Sequence, residues 1–203
     1  MSSLSNNRLV LFCGPSGSGK TTIVQHLLKV FPQMRFSISA TTRPMRANEM
    51  NGKDYHFLTP DEFRARIAAG DFLEWEEVYT DRFYGTLKED VYAILANDHV
   101  ALFDVDVEGG LQIRKHFGKN LLDVFVMPPS VSDLRSRLVA RASETEDSLM
   151  KRLGKAEKEM QYAYRFNNII VNAILQTACD EAVELVKKFL ADEIPDAPEG
   201  IEE

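Results

Sequence analysis

The run Gly14–Thr22, GPSGSGKTT, constrains the fold of this chain more than any other stretch. It matches the pattern G-x-x-x-x-G-K-[ST], with an apolar, β-rich segment (residues 8–13) before it and helically spaced apolar residues (22–30) after it. In this context glycine backbone N–H groups turn toward phosphate oxygens, Lys20 neutralises the β- and γ-phosphates and the Thr21 hydroxyl ligates Mg²⁺. The predicted ATP-binding residues are Gly14, Pro15, Ser16, Gly17, Ser18, Gly19, Lys20, Thr21 and Thr22.

Segments with strand and helix patterns alternate along most of the chain. This alternation predicts an α/β fold with a mainly parallel sheet flanked by helices, in which ligands bind beyond the carboxyl ends of the strands. The predicted strands are residues 8–13, 36–40, 100–107, 121–127 and 168–171, and a further unit begins at 55–58. The predicted helices are residues 22–30, 60–69, 86–96, one capped by Ser130 and Asp133, about 148–165 and about 177–190.

The predicted strand at residues 100–107 ends in two carboxylates, Asp104 and Asp106. Residues two apart in a strand point to the same face, so we expect both side chains at the ligand-binding edge. Carboxylates beside a phosphate loop hold Mg²⁺, in part through water. We therefore predict a metal site formed by Thr21 and Asp106.

Length and charge narrow the classes of function. A chain of 203 residues suits one domain, and a formal net charge of −7 argues against a nucleic-acid partner. The sequence has neither an apolar run of membrane-spanning length nor an apolar N-terminal targeting stretch, so we expect a cytoplasmic location and no membrane partner. Cys13 and Cys179 are expected to be reduced thiols, and residues 192–203 to be a flexible tail.

The segment at residues 39–57, SATTRPMRANEMNGKDYHF, is dense in arginine, hydroxyl groups and tyrosine. Its simplest interpretation is a solvated loop. Arg43 and Arg46, however, are suited to grip a dianion through paired N–H donors, and Tyr55 supplies a hydroxyl. The segment therefore also fits a binding site for a monoester phosphate.

These motifs together resemble those of the guanylate kinase family. The matching pieces are GPSGSGKTT, SATTRPMRANEMNGKDYHF, FLEWEEV, FYGT, DVDVEGG and PPSVSDLRSRL, with Arg141 beyond the last, and they run in order from about Arg8 to Leu190. The resemblance implies a single domain with a P-loop NTPase core. It also implies a GMP-binding insert at about residues 37–88 and a lid at about residues 136–157.

The resemblance also implies how the acceptor nucleotide is bound. It assigns Arg43, Arg46, Tyr55 and Tyr84 to the GMP phosphate, and Ser39, Glu74, Thr86 and Asp106 to the guanine. A carboxylate such as Glu74 accepts hydrogen bonds from guanine N1–H and the 2-amino group, whereas adenine would present a lone pair. The predicted GMP-binding residues are Ser39, Arg43, Arg46, Glu49, Tyr55, Glu74, Tyr84, Gly85, Thr86, Asp104, Asp106 and Gly109, and Asn172 joins the ATP-binding set.

The catalytic residues that the resemblance implies are Lys20 and Arg43 with the lid arginines Arg137, Arg141 and Arg152. Arg137 and Arg141 are four residues apart, so they share a helix face on which they would cover the transferring phosphoryl group. Exposed helix charges without a catalytic role are the alternative. The acceptor oxygen belongs to a phosphate that is already ionised, so no catalytic base is required.

The implied reaction is Mg²⁺-dependent transfer of the γ-phosphoryl group of ATP to GMP, and to dGMP, in purine nucleotide metabolism. ATP and GMP are the expected partners, and the chain is expected to be a monomer or a small homo-oligomer. Two alternatives remain. A non-catalytic module of the same family would bind phosphopeptides, although such modules typically lose the loop lysine that is present here as Lys20. The second alternative is a phosphate-loop kinase that acts on another nucleotide or on a phosphosugar.

Several positions depart from the pattern of the family. Many relatives have glycine at the position of Asn48, glutamine at that of Glu108 and serine at that of Thr86. They often carry an acid at the position of Ala173. They also have a Gly-Arg-Gly run at residues 140–142. Glu108 adds a negative charge near the metal region, which we expect to alter Mg²⁺ affinity, and Ala173 leaves the adenine contacts near Asn172 open.

Overall fold

The computed structural model describes residues 8–141 and 146–191. The strands are β1 (Leu9–Cys13), β2 (Met34–Phe36), β3 (Ser39–Thr41), β4 (His56–Phe57), β5 (Phe72–Tyr79), β6 (Arg82–Leu87), β7 (Val100–Asp104), β8 (Leu121–Met127) and β9 (Asn168–Val171). The helices are α1 (Lys20–Val30), α2 (Pro60–Ala69), α3 (Lys88–Ala96), α4 (Val107–Phe117), α5 (Val131–Arg141), α6 (Glu146–Met160) and α7 (Leu175–Leu190).

A five-stranded sheet with the order β2-β7-β1-β8-β9 forms the core, and every neighbouring pair in it is parallel. All five residues of β1 are buried because hydrophobic clusters cover both faces of the sheet. Helices α1 and α7 pack on one face, and α3 and α4 pack on the other. The predicted α/β fold with a parallel sheet between helices is confirmed.

A second sheet, of four strands in the order β4-β3-β6-β5, lies between β2 and α3 in the sequence. Its β3–β6 and β5–β6 pairs are antiparallel. It has a hydrophobic cluster of its own with α2, in which the ring of Phe63 stacks on that of Phe72 at 4.3 Å between centroids. We call β3 to β6 with α2 the acceptor sheet. It falls within the predicted insert, whose limits stay a prediction.

Helices α5 and α6 form a third unit, which we call the helical arm. Leucines from both helices form a small hydrophobic cluster between them, with Leu134 and Leu138 on α5 and Leu149 and Leu153 on α6. Helix α5 begins where predicted, since the Ser130 hydroxyl accepts a hydrogen bond from the backbone N–H of Asp133 at 3.0 Å. The arm overlaps the predicted lid, which also stays a prediction.

Two predictions around the acceptor sheet were wrong. The strand predicted at residues 36–40 is two strands in different sheets, because the chain leaves the core sheet after Phe36 and enters the acceptor sheet at Ser39. The helix predicted to begin at Thr86 begins at Lys88, and Thr86 lies in β6. The sequence analysis also missed β5, β6 and α4.

Other boundaries were predicted more closely. Helix α2 has the predicted capping box, in which Thr59 and Glu62 exchange hydrogen bonds, and it ends at Gly70. Helix α6 ends at Met160, before a short 3₁₀ turn, and not at residue 165, while α7 begins two residues earlier than predicted. Strand β8 has the predicted bounds. The predicted flexible tail at residues 192–203 lies outside the described residues.

None of the helices in the described ranges combines the length and the apolar character needed to cross a membrane. Cys13 and Cys179 are buried free thiols, as predicted.

Candidate active site

The phosphate loop connects the carboxyl end of β1 to the N-terminus of α1 at Lys20. Gly14, Gly17 and Gly19 all have positive φ, so the backbone follows the path that directs N–H groups inward. The Lys20 ammonium donates to the carbonyl oxygens of Gly14 at 2.6 Å and Pro15 at 3.3 Å. The helix start and the ammonium therefore concentrate positive potential inside the loop.

Gly19 allows a close approach between the loop and the end of β9. Its φ is 100°, and an added Cβ would collide with Nδ2 of Asn172. The same amide donates to the Ser18 carbonyl at 2.7 Å. Within residues 8–141 and 146–191, the buried Ser18 hydroxyl has no hydrogen-bond partner. Asn172 thus contacts the loop, and its place in the ATP site stays a prediction.

The Thr21 hydroxyl lies against Asp104 and not against Asp106. It donates to Oδ2 of Asp104 at 2.6 Å. Strand β7 ends at Asp104, and Asp106 is the N-cap of α4, where it accepts from the Gly109 N–H at 3.0 Å. The expectation that both aspartates share one strand face was therefore wrong, because the chain turns into α4 between them.

Two predicted lid arginines contact the phosphate loop. Arg137 donates to the carbonyl of Asn172 at 2.7 Å and to that of Ser18 at 3.4 Å. Arg152 donates to the Ser16 hydroxyl at 2.7 Å. The backbone of Arg141 ends α5, and its side chain lies outside the described part of the structure. Thr22 is exposed in the first turn of α1.

On the acceptor sheet, Arg43 is held by Glu49. The guanidinium and the carboxylate share two hydrogen bonds, of 2.6 and 2.5 Å, and the guanidinium lies 4.8 Å from the centre of the Tyr55 ring. The hydrogen bonds from Arg43 lower the pKa of Glu49 to about 2. Tyr84 packs edge-on against Tyr55 at 6.2 Å between ring centroids. These four predicted acceptor residues are therefore adjacent. Arg46 adjoins them through Glu49, which accepts from its backbone N–H at 2.9 Å, while its side chain is 75% exposed.

A buried carboxylate lies on the same sheet. The Thr86 hydroxyl donates to Oε1 of Glu74 at 2.6 Å, and the backbone register pairs Thr86 with Ser39 on one side and with Glu74 on the other. Burial raises the pKa of Glu74 to about 7, although the hydrogen bond from Thr86 lowers it in part. Gly85, the neighbour of Thr86, is buried in β6.

Gly109 lets α4 approach this carboxylate. A Cβ at Gly109 would lie 2.8 Å from Oε2 of Glu74, so a side chain there would displace this carboxylate. The β7–α4 junction therefore connects two regions: Asp104 contacts Thr21 of the phosphate loop, while Asp106 and Gly109 lie beside Glu74 of the acceptor sheet. The predicted ATP-binding and GMP-binding residues meet at this junction.

The sequence analysis missed a charged cluster beside this junction. Lys155 of α6 lies 3.5 Å from a carboxylate oxygen of Glu76, 3.4 Å from Asp106 and 3.7 Å from Glu159. The pKa of Glu76 is raised to about 7, first by a hydrogen bond with Asp106 and second by burial. The strand period carried a signal for Glu76, since it lies two residues after Glu74 and shares its face.

The parallel core sheet and the phosphate loop show the class of protein: the chain has a P-loop NTPase fold with a site of the kinase type. The guanylate kinase family model matches residues 6–193. The guanylate kinase of Bacteroides fragilis is 49% identical over 90% of both chains. The guanylate kinase of Salinibacter ruber is 46% identical over 92% of this chain and 98% of its own. The crystal structure of guanylate kinase from Anaplasma phagocytophilum superposes with a TM-score of 0.71 and 25% identity, covering 93% of this chain and 87% of that one.

The chain belongs to the guanylate kinase family. Family membership confirms the resemblance, the P-loop core and the kinase activity predicted from the sequence. The roles of individual residues stay predictions and are argued below.

Proposed function

We propose that this chain transfers the γ-phosphoryl group of ATP to GMP, and to dGMP, with Mg²⁺, giving ADP and the nucleoside diphosphate. The observation that carries the proposal is the β7–α4 junction, where Asp104 contacts Thr21 of the phosphate loop and Gly109 lies against Glu74 of the acceptor sheet. Two binding sites that meet at one junction suit two nucleotides whose phosphates must come together.

On the donor side, the loop amides and Lys20 bind the β- and γ-phosphates, and Asn172 holds the loop against β9. Arg137 and Arg152, already in contact with the loop, place positive charge where the transferring phosphoryl group develops charge. Arg141 is assigned the same role through its position four residues after Arg137.

The Thr21 hydroxyl and the Asp104 carboxylate are hard oxygen donors 2.6 Å apart, a donor set that fits Mg²⁺. They would hold the ion with the phosphates, and Asp106, our first choice from the sequence, is better placed for the acceptor. The bound ion would withdraw charge from the phosphate oxygens.

On the acceptor side, Arg43 presents paired N–H donors, which Glu49 aligns over Tyr55, and Tyr55, Tyr84 and Arg46 complete the phosphate site. Glu74, aligned by Thr86, accepts from guanine N1–H and the 2-amino group, beside Ser39, Gly85, Asp106 and Gly109. Adenine lacks these donors, so it would leave a buried carboxylate oxygen unpaired.

A coupled ADP-release assay with GMP, dGMP, AMP, CMP and UMP tests the proposal. We expect turnover with GMP and dGMP alone. Equal turnover of AMP would refute the role of Glu74, and turnover of none of the five would favour a phosphopeptide-binding module. A cytoplasmic location and a monomeric or small oligomeric state complete the proposal, to be checked by fractionation and by light scattering.

A further inference from the structure

Lys155 is the point at which three parts of the molecule meet. It lies on α6 of the helical arm, and its ammonium contacts Glu76 of the acceptor sheet at 3.5 Å. It also contacts Asp106, at the start of α4 in the core, at 3.4 Å. Its own helix contributes Glu159 at 3.7 Å, an ordinary i,i+4 pair.

Three carboxylates surround the Lys155 ammonium, and two of them come from different units of the molecule. Glu76 of the acceptor sheet and Asp106 of the core each lie within 3.5 Å of the ammonium. Like charges brought this close oppose the approach of the two units unless a cation lies between them. The cation comes from the arm, so a seated arm favours the approach of the acceptor sheet to the core.

The same face of α6 reaches the phosphate loop. Arg152 is three residues before Lys155, so the two side chains are neighbours along the helix, and Arg152 donates to Ser16 of the loop at 2.7 Å. One helix face therefore contacts the donor side through Arg152 and the acceptor side through Lys155.

We propose that Lys155 is a positioning residue that couples the seating of the helical arm on the phosphate loop to the closure of the acceptor sheet around GMP. The inference rests on the proposed function and deepens it by assigning the coupling between its two binding sites. If Lys155 stabilised only its own helix, through its ion pair with Glu159, replacing it would not change GMP binding.

The test compares Lys155→Met with Lys158→Met, a matched change at an exposed lysine of the same helix. Isothermal titration calorimetry measures GMP binding without turnover. We expect Lys155→Met to raise the Kd and the KM for GMP about fivefold, while the KM for ATP changes less than about twofold. Lys155→Arg should restore GMP affinity, and Lys158→Met should match the wild type.

A double-mutant cycle with Glu76→Gln identifies the mechanism. Glutamine removes the repulsion between residue 76 and Asp106, so the need for Lys155 should diminish. In this background Lys155→Met should raise the Kd for GMP by less than about twofold. Equal effects in both backgrounds would overturn the proposed coupling.

The two proposals fail in different ways. If the wild type turns over GMP but Lys155→Met and Lys158→Met behave alike, only the role of Lys155 is wrong. If the wild type neither binds nor phosphorylates GMP, the proposed function fails, and this inference fails with it.

Discussion

The hydroxyl of Thr86 donates a 2.6 Å hydrogen bond to Oε1 of Glu74 across the neighbouring strands β6 and β5. Glu74 is 6% exposed, so this contact fixes the orientation of a carboxylate that water hardly reaches. Its other oxygen, Oε2, is next to the space that Gly109 leaves open. A fixed buried carboxylate discriminates between bases because a missing donor leaves it unpaired.

Replacing Glu74 with glutamine should impair GMP use far more than ATP binding. The amide has one acceptor oxygen and adds an N–H group that opposes the donors of guanine, so we expect kcat/KM for GMP to fall on the order of 100-fold. The KM for ATP should stay within about twofold. Glu77→Gln, at an exposed position of the same strand, is the control. Equal losses for both nucleotides would rule out a base-reading role.

The raised pKa of Glu74 predicts that GMP binding depends on pH. The ionised form accepts the guanine donors, and its pKa is about 7, so GMP affinity should fall as the pH drops through 7. The GMP phosphate also titrates in this range. The measurement is therefore the Kd from isothermal titration calorimetry between pH 5.5 and 8.5, in roughly half-unit steps, for the wild type and Glu74→Gln. The two profiles should differ, and parallel profiles would contradict the prediction.

The same shift predicts how the stability of the protein without nucleotide varies with pH. The folded-state pKa of Glu74, about 7, is above the ordinary value of 4.5, so its contribution is fully present below 4.5 and is lost as the pH rises through 7. The loss should be about 3 kcal/mol at most. Urea unfolding at about pH 5 and pH 8 should show this decline in the wild type and a smaller one in Glu74→Gln. The variant retains some decline because Glu76 has a raised pKa as well. An identical decline in both proteins would exclude Glu74 as its source.

The contact between Thr21 and Asp104 predicts which residues determine how the rate depends on Mg²⁺ concentration. Thr21→Ala removes an oxygen ligand, and Asp104→Asn replaces a charged carboxylate with a neutral amide, so the Mg²⁺ concentration for half-maximal rate should rise about tenfold in each. Thr21→Ser keeps the hydroxyl and should remain close to the wild type. If Asp106→Asn raised this Mg²⁺ concentration more than Asp104→Asn does, Asp106 would be the metal ligand, as first predicted from the sequence.

Gly19→Ala separates steric collision from backbone strain. Both Gly19 and Gly70 have positive φ, but a Cβ at Gly19 meets Asn172, whereas a Cβ at Gly70 has no atom within 4 Å. Gly70→Ala should therefore cost only the left-handed strain, about 1 kcal/mol of unfolding free energy. Gly19→Ala should in addition raise the KM for ATP more than about tenfold. Retained ATP affinity in Gly19→Ala would show that the loop tolerates displacement of Asn172.

Local patterns allowed correct predictions where the interaction partners are close in the chain. The phosphate loop, the Thr59–Glu62 capping box and the buried strand β8 all follow from neighbouring residues whose chemistry is satisfied locally. The same kind of pattern at Thr86 predicted a helix cap and was wrong. There a buried carboxylate 12 residues earlier in the chain binds the hydroxyl, and pairing with β5 and β3 outweighs the local preference.

The sequence by itself determined the glycine-rich loop between β1 and α1, the parallel α/β core and, through its motifs, the family. Only the tertiary structure decided that Thr21 pairs with Asp104, that Gly109 lies against Glu74, and that Lys155 joins three units. The physical reason is that each of these contacts joins residues from different elements. Their separation in space depends on how helices and sheets pack, which periodicity along one element does not encode.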